Sequence, residues 1–187
     1  LAPVRVTGLA TFVRFTDRLN DAIGRGVAWL TLVMVLIAFA VVVLRYVFSL
    51  GWVAMQESYV WLHGTVFMAG AAYTLLHNAH VRVDIFYRPG SARFKAWVDL
   101  LGSLFLLLPV VIFVGYVSWD YVLVSWSRFE QSREAGGLPG LFLLKTIIWV
   151  FCLSVALQGL SLAGRSLLVL KGQGELVPPL DEDSGSA

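Results

Sequence analysis

The stretch VAWLTLVMVLIAFAVVVL, residues 27–44, decides the fold. It carries no charged side chain and is long enough to cross about 30 Å of hydrocarbon as a helix, which takes roughly 18–20 apolar residues. In lipid no water is present to satisfy backbone N–H and C=O groups, so such a segment must close its hydrogen bonds on itself and become an α-helix. Three more windows read the same way: 58–76, broken only by His63, then 100–118 and 146–164. Their summed length leaves only short connections, with no room for a separate soluble domain and no internal repeat. The expected architecture is an all-α membrane protein of four transmembrane helices, with spans near 26–48, 55–78, 93–126 and 139–170. Residues 1–24 read as a segment ahead of this 25–171 domain, and 172–187 as a disordered tail.

Composition supports lipid as a solvent. Of 187 residues 58% are hydrophobic and 14% charged, against roughly a quarter charged in soluble domains. Mean hydropathy is +0.79. One core cannot hide that much apolar surface at this length. A formal charge of +2 gives no case for a nucleic-acid partner. The single cysteine, Cys152, sits in an apolar run and reads as a small hydrophobe. No cleavable signal is predicted, because residues 1–21 are mixed polar and basic and the first apolar run exceeds a signal core.

Basic residues set the orientation. Arg5, Arg14, Arg18 and Arg25 precede the first span; Arg82, Arg88, Arg93 and Lys95 separate the second and third; Arg165 and Lys171 close the fourth. The opposite side holds Arg45, Arg128, Arg133 and Lys145, so ten stand against four. Both termini and the middle loop are therefore expected in the cytoplasm of a bacterial inner-membrane protein. Trp52, Trp61, Trp97, Trp119 and Trp126 fit an interfacial belt. Ser91 is placed to cap the third helix. That helix is predicted to run to about Arg128, longer than the bilayer needs, and to kink at Pro109. The run Ala135-Gly136-Gly137-Leu138-Pro139-Gly140 breaks the chain before the fourth helix.

Several polar groups need partners. Glu57 opens the second span, where a carboxylate is costly unless paired or wetted; Arg45 or a basic group on another subunit would serve. Ser154, Gln158, Ser161 and Arg165 share one face of the fourth helix, with Gly159 and Ala163 beside it, which suits either internal packing or a seam to another membrane protein. Lys145 is long enough to snorkel. His63 and His77 share a face of the second helix and His80 follows, but a haem iron would need an opposing ligand that this chain lacks. No nucleophile–base pair, phosphate loop or metal triad is present, and no span carries an ion path. The chain is expected to be neither an enzyme nor a carrier but a scaffold, without a cofactor of its own.

Three segments resemble a known family: Arg45-Tyr46-Val47-Phe48 with Gly51-Trp52 and Gln56-Glu57; Gly70-Ala71-Ala72-Tyr73 leading to His80-Val81-Arg82-Val83-Asp84; and Glu130, Ser132, Gly137-Leu138-Pro139, Lys145, Leu157-Gln158-Gly159 and Arg165. In this order, over residues 17–171, the chain is similar to the small membrane subunit (small permease) of tripartite ATP-independent periplasmic (TRAP) transporters. The second and third segments look most like the mannitol/chloroaromatic branch. The resemblance implies a large membrane permease subunit that moves an organic acid by a sodium-driven elevator motion and holds the sodium sites. It also implies a periplasmic solute-binding protein. The small subunit would be a tilted four-helix bundle that braces the large one.

On that reading Trp52, Glu57, Trp61, Gln158 and Arg165 are expected to contact the large subunit. The charged loop with Arg128, Glu130, Arg133 and Glu134 would dock the binding protein. His80, Arg82 and Asp84 would form a structural turn near anionic lipid headgroups. The rival readings are a membrane-anchor subunit of a redox complex and a self-sufficient small channel.

Overall fold

The computed structural model describes residues 7–81, 85 and 87–177. Its elements are α1 (Thr7–Val47), α2 (Val53–Leu76), α3 (Ala92–Gly102), α4 (Leu108–Ser127) and α5 (Leu141–Leu170), with a π-helical turn at Ser103–Leu107 and a 3-10 turn at Gly174–Leu176. No strand occurs among the described residues. α3, the π turn and α4 run on as one rod, Ala92–Ser127, so the described residues make four rods. Three of them, all but α2, are long and apolar enough to cross a membrane.

α5 touches every other rod, and α1 packs chiefly on α2. A core of Ala72, Val111, Cys152 and Val155 lies mid-bundle where α2, α4 and α5 meet. Cys152 is thus the buried hydrophobe that the sequence suggests.

α1 differs most from its sequence reading. No break falls between residues 24 and 25; the helix starts at Thr7 and runs 41 residues. Its mixed polar half is the packed half: Ala10, Val13, Thr16 and Asn20 are at most 1% exposed. Its most apolar window is not buried inside the chain at all. Lipid as solvent accounts for the inversion, since an apolar stretch gains little by hiding from hydrocarbon, whereas polar side chains must find one another. The chain after α5 also departs from expectation. Val177 is buried against Ala10, Val13 and Leu168, so residues 173–177 belong to the packed body.

The long third rod is confirmed, and Pro109 acts in an unexpected form. Proline has no N–H to give and its ring crowds the preceding turn. The helix responds by widening just before it: Leu108 N–H donates five residues back to the Ser103 carbonyl. Such π turns accommodate a disturbed ladder without ending the helix. Ser91 caps α3 as read, its Oγ accepting the Phe94 N–H at 3.3 Å. The Gly-rich breaker contains two left-handed residues, Gly136 (φ +78°) and Gly140 (φ +100°), a backbone region where glycine carries no Cβ penalty.

Candidate functional site

The polar side chains gather into clamps at the two ends of the bundle. At the end holding the start of α1 and the close of α5, Asp17 is the hub. Arg165 Nη2 donates to Asp17 Oδ2 at 2.5 Å, Gln158 Nε2 donates to Oδ1 at 3.0 Å, and Ser161 Oγ donates to Oδ1 at 2.7 Å. Asn20 Nδ2 donates to Gln158 Oε1 at 2.7 Å. Gln158, Ser161 and Arg165 are all buried. The stripe along α5 therefore faces α1 from within the chain. This corrects the expectation that Gln158 and Arg165 lack an internal partner and reach outward: the partner is Asp17, on a stretch that read as lying outside the bundle.

Nearby, α1 and α2 meet at a close approach. The Tyr73 ring lies over Gly24, where an added Cβ would fall 2.2 Å from it. One turn on, His77 Nε2 stands 3.2 Å from Asp21 Oδ1, and Asp21 also pairs with Arg25 at 2.9 Å. His80 is exposed just beyond. Arg82 and Asp84 lie outside the described residues.

At the other end Glu57 holds the connection between α4 and α5. Its Oε2 accepts the Leu138 N–H at 2.6 Å, and its Oε1 accepts the Ser132 hydroxyl. Arg45, the partner suggested by sequence, is exposed instead. Gly137 must be small here, because a Cβ would sit 2.5 Å from Ser132 Oγ and 2.7 Å from Glu57 Oε2.

Lys145 does not snorkel; it donates to Glu130 and lies 3.9 Å from the centre of the Tyr121 ring. That bond holds the Glu130 carboxyl below its ordinary value of 4.5. Trp126 Nε1 donates to Thr146 Oγ1 at 2.8 Å, and Trp119 stacks on Trp149. Of the four loop residues read as docking charges, Glu130 is engaged with Lys145, whereas Arg128, Arg133 and Glu134 are exposed. Trp52 is exposed at the N-cap of α2 and Trp61 is half-buried.

Sequence reasoning missed Asp17, Asn20 and Tyr73. Helical spacing signals the first: Ala10, Val13, Asp17, Asn20 and Gly24 fall on one face at intervals of three and four.

Long apolar helices joined by polar clamps at their ends define an all-α integral membrane protein. A family model described as "Tripartite ATP-independent periplasmic transporters, DctQ component" matches residues 34–168. The chain belongs to this family, and is a transporter subunit rather than an enzyme. It is 28% identical over 128 residues to the C4-dicarboxylate TRAP transporter small permease protein DctQ of Vibrio cholerae, a match covering 64% of this chain. The match spans 48% of that relative, about half its length. No solved structure matches the chain.

Proposed function

We propose that this chain is the scaffold subunit of a sodium-driven, binding-protein-dependent importer of an organic acid. It braces a large permease subunit that carries substrate and sodium, and holds no cofactor itself. In this reading all four rods cross the inner membrane, α2 included, with both termini cytoplasmic. The arginine and lysine asymmetry supports the orientation. Similarity to a small permease named for C4-dicarboxylates supports the substrate class.

One observation carries the scaffold role. Ionisable groups between the rods are spent on one another in clamps at the two ends, buried Arg165 with half-buried Asp17 and half-buried Glu130 with half-buried Lys145. Between them the core is Ala72, Val111, Cys152 and Val155. A conducting path needs polar groups free to exchange partners with an ion. Clamps that lock helix to helix instead make a stiff body, which is what a sliding partner requires of its frame.

The loop at 128–140 is the surface proposed to meet the binding protein. Glu57 and Lys145 fix its two sides, and Arg128, Arg133 and Glu134 are left to steer an incoming surface. Reversing the charge at Arg128 and Arg133 is expected to slow receptor-dependent uptake while leaving assembly intact.

Reconstitution tests the central reading. Vesicles holding this chain alone should take up no organic acid under a sodium gradient, and uptake should appear once the large subunit and the binding protein are added. Sodium-dependent uptake by this chain alone would overturn the scaffold role.

A further inference from the structure

Gln56, Val60, His63, Phe67, Gly70 and Thr74 follow one another along α2 at intervals of four, three, four, three and four, so they share one face. The middle of this face points away from the chain: Val60 is 56% and Phe67 73% exposed, and His63 is exposed between them. Three of the four apolar windows contain no Asp, Glu, Lys, Arg or His, and the second contains only His63.

His63 lies ten residues into α2, about 15 Å along its axis at 1.5 Å per residue, close to the middle of a hydrocarbon layer about 30 Å thick. Its imidazole brings one donor and one acceptor in the neutral form. It makes no hydrogen bond or ion pair with any described residue. At that depth a short side chain cannot reach the headgroups, and acyl chains offer it nothing.

Away from the rod ends the other outward faces look different. Leu36 and Phe39 on α1, Val110 and Phe113 on α4, and Leu153 and Leu160 on α5 are exposed and apolar, as lipid contact demands. α2 is also the one rod that falls short of the other three in apolar length. A Cβ at Gly70 would meet nothing within 4 Å, so a neighbouring backbone has room to approach there. The Thr74 hydroxyl is already spent on the Gly70 carbonyl at 3.1 Å.

We propose that this α2 face is the seam on which a transmembrane helix of the large subunit packs, with His63 hydrogen-bonded to a polar side chain of that helix. The proposal rests on the small-subunit reading above and adds the surface. The occupant is a membrane helix, because the group it must satisfy lies at mid-depth and only a protein side chain can deliver a hydrogen-bonding partner there. Trp52, four residues ahead of Gln56, extends the seam toward the loop end.

Photocrosslinking in cells that make all the transporter components tests it. A benzophenone side chain at position 63 or 67 is expected to capture the large subunit, identified by mass spectrometry. The same group at position 39 or 113 is expected to capture lipid. In addition, His63→Leu should lower co-purification of the large subunit roughly three- to tenfold, the range of one interhelical hydrogen bond in a membrane. His63→Gln, which keeps a donor and an acceptor, should restore it.

Crosslinks from 63 and 67 to lipid alone, or to a second copy of this chain, would overturn the seam. Capture of the large subunit from 39 or 113 but not from 63 or 67 would also overturn it, while leaving the small-subunit reading in place. A large subunit captured from no position and absent from the purified complex would remove both.

Discussion

Arg165 and Asp17 sit 148 positions apart in the chain and meet at 2.5 Å. Their side chains are 9% and 14% exposed. The pair ties the start of the first helix to the close of the last. Breaking a buried pair from one side leaves a charge with no compensation and costs about 3–5 kcal/mol. Arg165→Ala should therefore lower the detergent melting temperature sharply. The double variant Asp17→Ala with Arg165→Ala should melt higher than Arg165→Ala alone. Equal melting of wild type and Arg165→Ala would show that the clamp contributes nothing.

Glu57 works at the opposite end. Glu57→Ala removes the acceptor for both Ser132 and the Leu138 N–H. Hydrogen bonds to a charged group are worth about 1.5–3 kcal/mol each. Amide exchange across residues 128–140 should accelerate at least tenfold, with α5 unaffected. Glu57→Gln keeps a carbonyl oxygen and should fall between wild type and alanine.

The approach of α1 to α2 depends on Gly24. A methyl group there meets the Tyr73 ring at its near edge, and overpacking of this kind costs about 1–3 kcal/mol. Gly24→Ala should reduce thermal stability. Replacing Tyr73 by Ala in the same chain should return part of the loss, because the added methyl then has space.

The Glu130–Lys145 pair carries a pH signature. Glu130 has its pKa lowered in the folded chain by the hydrogen bond to Lys145. A carboxylate held low stabilises the fold above its ordinary pKa and loses that contribution as pH falls through the lowered value. The loop at 128–140 should stay protected from exchange at neutral pH and loosen only below about pH 4.5. Glu130→Gln should remove this acid step; an identical acid profile in that variant would exclude the pair as its source.

Much of the bundle was legible in residue order alone. The uncharged run at 27–44, the break at 135–140 and the Ser91 cap locate helices through local physics, namely the demand for internal backbone bonds in lipid and the dihedral freedom of glycine. Pro109 announced a disturbance in the third rod but not its form, since a kink and a π turn relieve the same missing N–H. Glu57, Gln158, Ser161, Arg165 and Lys145 were visible as costly polar groups, whereas Asp17 and Asn20 were hidden in a stretch that read as lying ahead of the bundle. Their pairing was not, because Asp17 with Arg165 and Glu57 with Leu138 are joined by packing across the chain and no periodicity along it.

What the sequence by itself determined is that lipid is the solvent of this chain, that its helices are long and apolar, and to which family it is similar. Only the tertiary structure decided which half of the first helix is buried, that the stripe on α5 turns inward, and that His63 is left outside. The reason is physical. Hydropathy is a property of each segment, whereas the cost of a polar group is set by which other polar group comes within about 3 Å of it.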